Sequence, residues 1–117
     1  MQATHTMERR PFLKAIEVAL QNRAVKSYLV VGIAFKPGQS YCGNSPSLAF
    51  ANQLRDMGLN VFILDPLVTK SEHTLLSQEE ALDKLETGEI EMVVLGMRQW
   101  NVDFERLKKY RHISFIE

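Results

Sequence analysis

The chain has 117 residues, enough for one domain and too few for two of ordinary size. At 45% hydrophobic and 24% charged its composition is that of a folded soluble domain and speaks against disorder. Lys plus Arg and Asp plus Glu both number 14, so the basic excess that marks nucleic-acid binders is missing and no nucleic-acid partner is expected.

Cys42 is the single cysteine, which leaves no internal disulfide and fits a cytoplasmic setting. The longest apolar run, "YLVVGIAF", has strand length and is too short for a bilayer, so no membrane role is expected. Residues 1–10 have no apolar run behind their charges and read as a leader rather than a signal peptide, ahead of one domain over 11–117.

The first predicted element is a helix over 11–23, where Phe12, Leu13, Ile16 and Leu20 share a face at helical spacing and Pro11 suits a first turn. "SYLVVGIAF" follows as a strand covered on both faces, being continuously apolar and rich in β-branched residues. A loop over 36–44 leads to a second helix, with Ser45 as N-cap, Pro46 at the first helical position and Gly58 past the end. "NVFILDP" is a second buried strand, and 67–77 is a polar connection. Ser77 caps a third helix ending at Gly88, and Glu80, three residues on, completes a capping-box pattern. "IEMVVLG" is the third strand, Asp103 to Tyr110 a short helix and "HISFIE" the fourth strand.

Alternating strands and helices give an α/β fold, a three-layer sandwich around a mainly parallel sheet of Rossmann-like kind. Right-handed crossovers set the strand order 2-1-3-4, with the switch point between the first and third strands. Ligands of such sheets bind outside the carboxyl ends of the strands at that point. The segments gathered there are the loop 35–46, Asp65 with Pro66, and "GMRQW" at 96–100.

Two glycine-loop chemistries fit this loop poorly. Gly32, Gly38 and Gly43 are six and five residues apart, too widely spaced for the tight turn of a dinucleotide site, although Asp65 ends the second strand where a ribose-binding acid would lie. Asp before Pro is equally a turn pair. "GQSYCGNS" has the spacing of a triphosphate-binding P-loop, but Asn44 stands where the lysine should be. His5, His73 and His112 share no metal-ligand spacing. Cys42 reads as a loop thiol rather than a nucleophile, and Trp100 as either a base-stacking ring or a cover for the sheet edge, with Arg98 beside it.

"VVGIAFKPG…NSPSLAFANQLRDMGLNVFILDPLV" resembles the C-terminal nucleotide-sugar-binding domain of the UDP-glucose/GDP-mannose dehydrogenase family. The likeness rests on an apolar strand, Gly-x-Ala-Phe-Lys, a polar loop, Ser-Pro, a helix ending at Gly, and a strand ending in Asp-Pro. It continues more weakly to about residue 116 through "FERL". It implies that Phe35 and Lys36 line a UDP- or GDP-sugar site, with Lys36 near the diphosphate. The helix beginning at Ser45 adds its positive end. Where family members usually carry Thr, Asp and Arg in the loop, this chain has Gln39, Tyr41 and Gly43.

The resemblance also implies NAD as cofactor of the full-length enzyme, bound by an N-terminal domain, and a catalytic cysteine from a central region. Neither part is expected in these 117 residues, so nucleotide-sugar binding without catalysis is the expectation. The substrate-binding candidates are Phe35, Lys36, Ser45, Asp65 and Trp100. The alternative is an assembly module that binds no ligand and pairs subunits as a homodimer through the exposed face of the helix at 11–23; a missing dehydrogenase domain is the other partner that the resemblance implies. A P-loop hydrolase is the minor option.

Overall fold

The structure, a computed structural model, describes residues 10–21, 25–110 and 114–116. His5 and His112, and the leader up to residue 9, lie outside the described residues. Helix α1 (Arg10–Gln21) is followed by β1 (Ser27–Val31), α2 (Pro46–Asp56), β2 (Asn60–Leu64) and β3 (Thr74–Leu75). Then come α3 (Gln78–Thr87), β4 (Met92–Leu95), α4 (Phe104–Lys108) and β5 (Ser114–Ile116). The strands form one sheet in the order β3-β2-β1-β4-β5, and every pairing is parallel. The expected order of the four main strands holds, with β3 added at the outer edge.

Alternation along the central strand builds two cores. Tyr28 and Val30 face one way, against Phe12, Ala15 and Ala19 of α1 and Phe50, Ala51 and Leu54 of α2. Leu29 and Val31 face the other way, against Ala81, Leu82 and Leu85 of α3 and Leu107 of α4. The sheet is therefore buried on both faces, as its unbroken apolar strands require.

Three sequence expectations are corrected. The buried stripe of α1 is Phe12, Ala15 and Ala19 with Ile16 half-buried, whereas Leu13 and Leu20 are 64% and 61% exposed. The i, i+3, i+4, i+7 register runs through the alanines, whose small side chains let the helix approach the sheet, and it leaves the leucines a step around the axis. The run "SYLVVGIAF" is strand only to Val31. Gly32 takes a left-handed conformation (φ +82), and the next two amides turn from the sheet to Asp65. Finally, the connection 67–77 contains β3, held by the Leu76 amide donating to the Ile63 carbonyl at 2.7 Å.

The local helix signals match the sequence reading. Ser45 Oγ accepts from the Leu48 amide at 3.2 Å with Pro46 in the first turn. Ser77 and Glu80 form the reciprocal capping box, and Gly88 closes α3 in the left-handed region. No described helix is long and apolar enough to cross a membrane.

Candidate functional site at the carboxyl edge of the sheet

Fourteen residues, 32–45, connect β1 to α2, and their path is set by two turns. The first runs from Lys36 to Gln39, with the Gln39 amide donating to the Lys36 carbonyl at 3.2 Å. Pro37 in its second position and Gly38 at φ +83 in its third are the residues a type II turn demands. The second runs from Cys42 to Ser45, with Asn44 left-handed at φ 59. Across the first turn, the Phe35 amide donates to the Tyr41 carbonyl at 2.7 Å and closes the loop.

Asp65 anchors the start of this loop. Its Oδ2 accepts from the Ile33 and Ala34 amides at 2.9 and 3.1 Å, and its Oδ1 accepts from the Leu67 amide at 3.1 Å. The carboxylate is buried, and Gln99 Nε2 also donates to it at 3.0 and 3.2 Å. Its oxygens are thus engaged by the chain itself, which joins the turn that follows β2 to the loop that follows β1.

Gln99 anchors the middle of the loop. Its Oε1 accepts from the Gly38 amide at 2.8 Å, and its Nε2 donates to the Gln39 carbonyl at 3.0 Å. Trp100 lies over the same turn: a Cβ on Gly38 would come within 2.8 Å of the indole ring. The Tyr41 ring covers Gly43 in a comparable way. Both rings remain well exposed, Trp100 at 62% and Tyr41 at 63%.

The five sequence candidates all belong to this edge, in different states. Lys36 is exposed, its Nζ 5.7 Å from the centroid of the half-buried Phe35 ring. Ser45 is buried and caps α2. Asp65 is buried and bound to backbone, and Trp100 stands on the loop's outer turn. The first turn of α2 carries no acidic residue, while that of α3 carries Glu79 and Glu80, so α2 presents the helix start more favourable to an anion.

Two cavities open near this edge of the sheet. One of about 510 Å³ lies beyond β2 and β3, lined by Asp65, Thr69, Ser77, Gln78 and Asn101 among others. Another of about 240 Å³ lies between the loop, α2 and the β2–β3 connection, lined by Cys42, Leu48, Asn52 and Lys70 among others. Burial, and then the charge of Asp65, pushes the Cys42 thiol above its ordinary range, so it is protonated at neutral pH. The buried His73 has its Nε2 at 2.7 Å from Asn52 Oδ1, which accepts only from a ring nitrogen bearing hydrogen. Burial and Arg55 lower the basicity of that imidazole and keep it neutral. Among the described residues no three metal-ligating side chains cluster.

Sequence reasoning named the "GMRQW" segment but passed over Gln99 within it, because a lone glutamine carries no signal of its role. The loop also departs from a P-loop in use as well as sequence. The amides of Ile33, Ala34, Phe35, Gly38, Gln39 and Ser45 all donate to the chain rather than standing open to a phosphate. Nor does a fourteen-residue connection fit the tight dinucleotide turn.

A doubly wound parallel sheet with a loop and a helix start at its switch point defines an α/β domain of the kind that holds ligands outside the carboxyl ends of its strands. Residues 29–113 match the model of the UDP-glucose/GDP-mannose dehydrogenase family, UDP binding domain. The chain belongs to that family. No curated protein matches the chain.

Proposed function

We propose that this chain binds a UDP- or GDP-linked sugar at the loop 35–45, with Lys36 and the start of α2 facing the diphosphate. The observation that carries this reading is the exposed Lys36 on an ordered turn beside a helix start free of acidic residues. Ser45 shapes that helix start, the Phe35 ring lies beside the lysine ammonium, and Trp100 offers a flat exposed ring to a base. Asp65 acts on the ligand indirectly, by holding the loop. Oxidation of the sugar, with NAD as acceptor, then falls to a partner dehydrogenase domain, and this chain binds without catalysing. The single thiol fits a reducing, cytoplasmic compartment.

Calorimetric titration with UDP-glucose, GDP-mannose and NAD tests this, repeated on Lys36→Ala. Binding of a nucleotide sugar that weakens at least tenfold in the variant, with an unchanged melting temperature, is expected. Equal affinity in wild type and variant would remove Lys36 from the site.

The exposed Leu13 and Leu20 favour a second reading, a homodimer assembled through α1. Their side chains flank an apolar groove of about 410 Å³ shared with Met57 and Leu59 and another of about 210 Å³ beside Phe50. Sedimentation should then give a concentration-dependent dimer that Leu13→Glu dissociates. A monomer at all concentrations rules it out.

A further inference from the structure

We propose that Gln99 is a positioning residue for the nucleotide-sugar loop, holding the turn that carries Lys36 in its binding conformation. The inference rests on the ligand reading of that loop and adds a residue that touches no ligand.

Gln99 is 3% exposed, and its side-chain amide is fully used. Oε1 accepts two backbone amides, Gly38 at 2.8 Å and Trp100 at 3.0 Å. Nε2 gives one hydrogen to the Gln39 carbonyl at 3.0 Å and the other to the Asp65 carboxylate. A carboxamide offers two donors and one acceptor oxygen with two lone pairs, and all four are committed. Two N–H groups converging on one atom also fix which end is oxygen, since a flipped amide would set donors against donors. No capacity remains for a ligand, so any effect of Gln99 on binding passes through the loop.

Its place in the chain makes that effect specific. Lys36 lies between two fastened points. Ile33 and Ala34 are held by Asp65, and Gly38 and Gln39 are held by Gln99. The bond between Asp65 and Gln99 joins the two fastenings. Segment 35–37 is therefore strung between supports that are tied to each other. A loop ordered before binding spares the ligand the conformational entropy of ordering it. Releasing the Gln99 end lets the lysine-bearing turn sample other conformations and lowers the fraction competent to bind. Affinity falls in proportion to that fraction.

The test compares wild type, Gln99→Ala, Gln99→Glu and Leu85→Val. The last variant trims the opposite core, under α3, and serves as a stability-matched control. UDP-glucose and GDP-mannose are titrated by calorimetry and by the emission of Trp100, the sole tryptophan. The expected result is a Kd raised about 10–100-fold in Gln99→Ala, with Leu85→Val unchanged despite a comparable loss of melting temperature.

Gln99→Glu supplies a second readout. The introduced group keeps an oxygen for the Gly38 and Trp100 amides but puts a second oxygen against both Asp65 and the Gln39 carbonyl, and a protonated carboxyl has one hydrogen for the two of them. Two carboxyl groups that close do not both ionise easily. Protonated, the introduced group donates to Asp65 as the amide did; ionised, it repels it. Its affinity should therefore recover in part on acidification from about pH 7.5 to about pH 5.5, relative to wild type measured in parallel. Wild-type binding with an unaltered Kd in Gln99→Ala, or a wild-type pH profile in Gln99→Glu, overturns the positioning role and leaves the site standing. Wild type that binds neither nucleotide sugar overturns the site itself, and the positioning role with it.

Discussion

Asp65→Asn tests the loop's main fastening without leaving a cavity, since the two side chains have nearly the same shape. The carboxylate accepts the Ile33 and Ala34 amides on one oxygen, and the Leu67 amide on the other. Asparagine keeps one oxygen. In its better orientation that oxygen stays with Ile33 and Ala34, and the new NH2 group faces the Leu67 amide and Gln99 Nε2, donor against donor. Losing a hydrogen bond to a charged acceptor costs about 1.5–3 kcal/mol, and leaving a buried donor unmatched costs about 1–3 kcal/mol. A loss of about 3 kcal/mol is expected against a total stability of roughly 5–15 kcal/mol for a domain of this size. Urea unfolding followed by circular dichroism should show a lower midpoint with an unchanged slope. A midpoint equivalent to less than about 0.5 kcal/mol of change would refute the view that this carboxylate holds the edge of the sheet together.

Gly32→Ala should lose more than about 3 kcal/mol, because the new methyl group at a left-handed φ runs into the Met97 carbonyl, and both backbones belong to the sheet edge; the urea midpoint of the purified variant should drop at least as far as that of Asp65→Asn. Ser77→Ala should lower stability by about 1 kcal/mol through loss of the α3 cap, read from the urea midpoint. The Ser77 amide and then its hydroxyl hold the Glu80 carboxyl below its usual range. Its stabilising share is complete above the unfolded carboxyl value of about 4.3 and is lost as pH falls through the lowered one, so Glu80→Gln should flatten the acid limb of the stability curve. Burial, and then Arg55, lower the His73 pKa, so the same sign applies: stability is present above the unfolded imidazole value of about 6.5 and declines as pH drops below it. Urea midpoints between about pH 7.5 and about pH 5.5 should fall in wild type and fall less in His73→Gln.

Features that neighbouring residues decide were legible in the sequence. The Ser45–Pro46 start of α2 and the Ser77–Glu80 box of α3 each depend on residues within one turn, so their chemistry is visible in a short window. The strand order followed from alternation and from crossover handedness, both of which survive errors of a few residues at the element ends. The face of α1 was misread because hydrophobicity favours leucine, whereas close packing against the sheet selected Ala15 and Ala19. Strand β3, two residues long, has no periodicity to read. The early end of β1 is a long-range effect, since Asp65 draws off the Ile33 and Ala34 amides from 32 and 31 residues away. Gln99 reaches Gly38 across 61 residues, a partnership that no local pattern encodes.

The same partnership bears on how the loop keeps its charge. Lys36 is the only charged residue between Gly32 and Ser45. The loop is ordered by a neutral carboxamide at Gln99, by Trp100 over Gly38 and by Tyr41 over Gly43, so no acid within it competes for the lysine. Asp65 is the nearby acid on which the fold relies, and its oxygens accept three backbone amides and the Gln99 side chain. An aromatic face stabilises a cation by only about 0.5–1 kcal/mol at an exposed site, so the Phe35 ring does not tie Lys36 down. Fastening the loop with neutral groups, while aiming the one strong acid inward at amides, leaves a single positive charge on a fixed turn beside the start of α2. On the proposed reading, that charge, without an ion-pair partner among the described residues, is what a nucleotide diphosphate meets first.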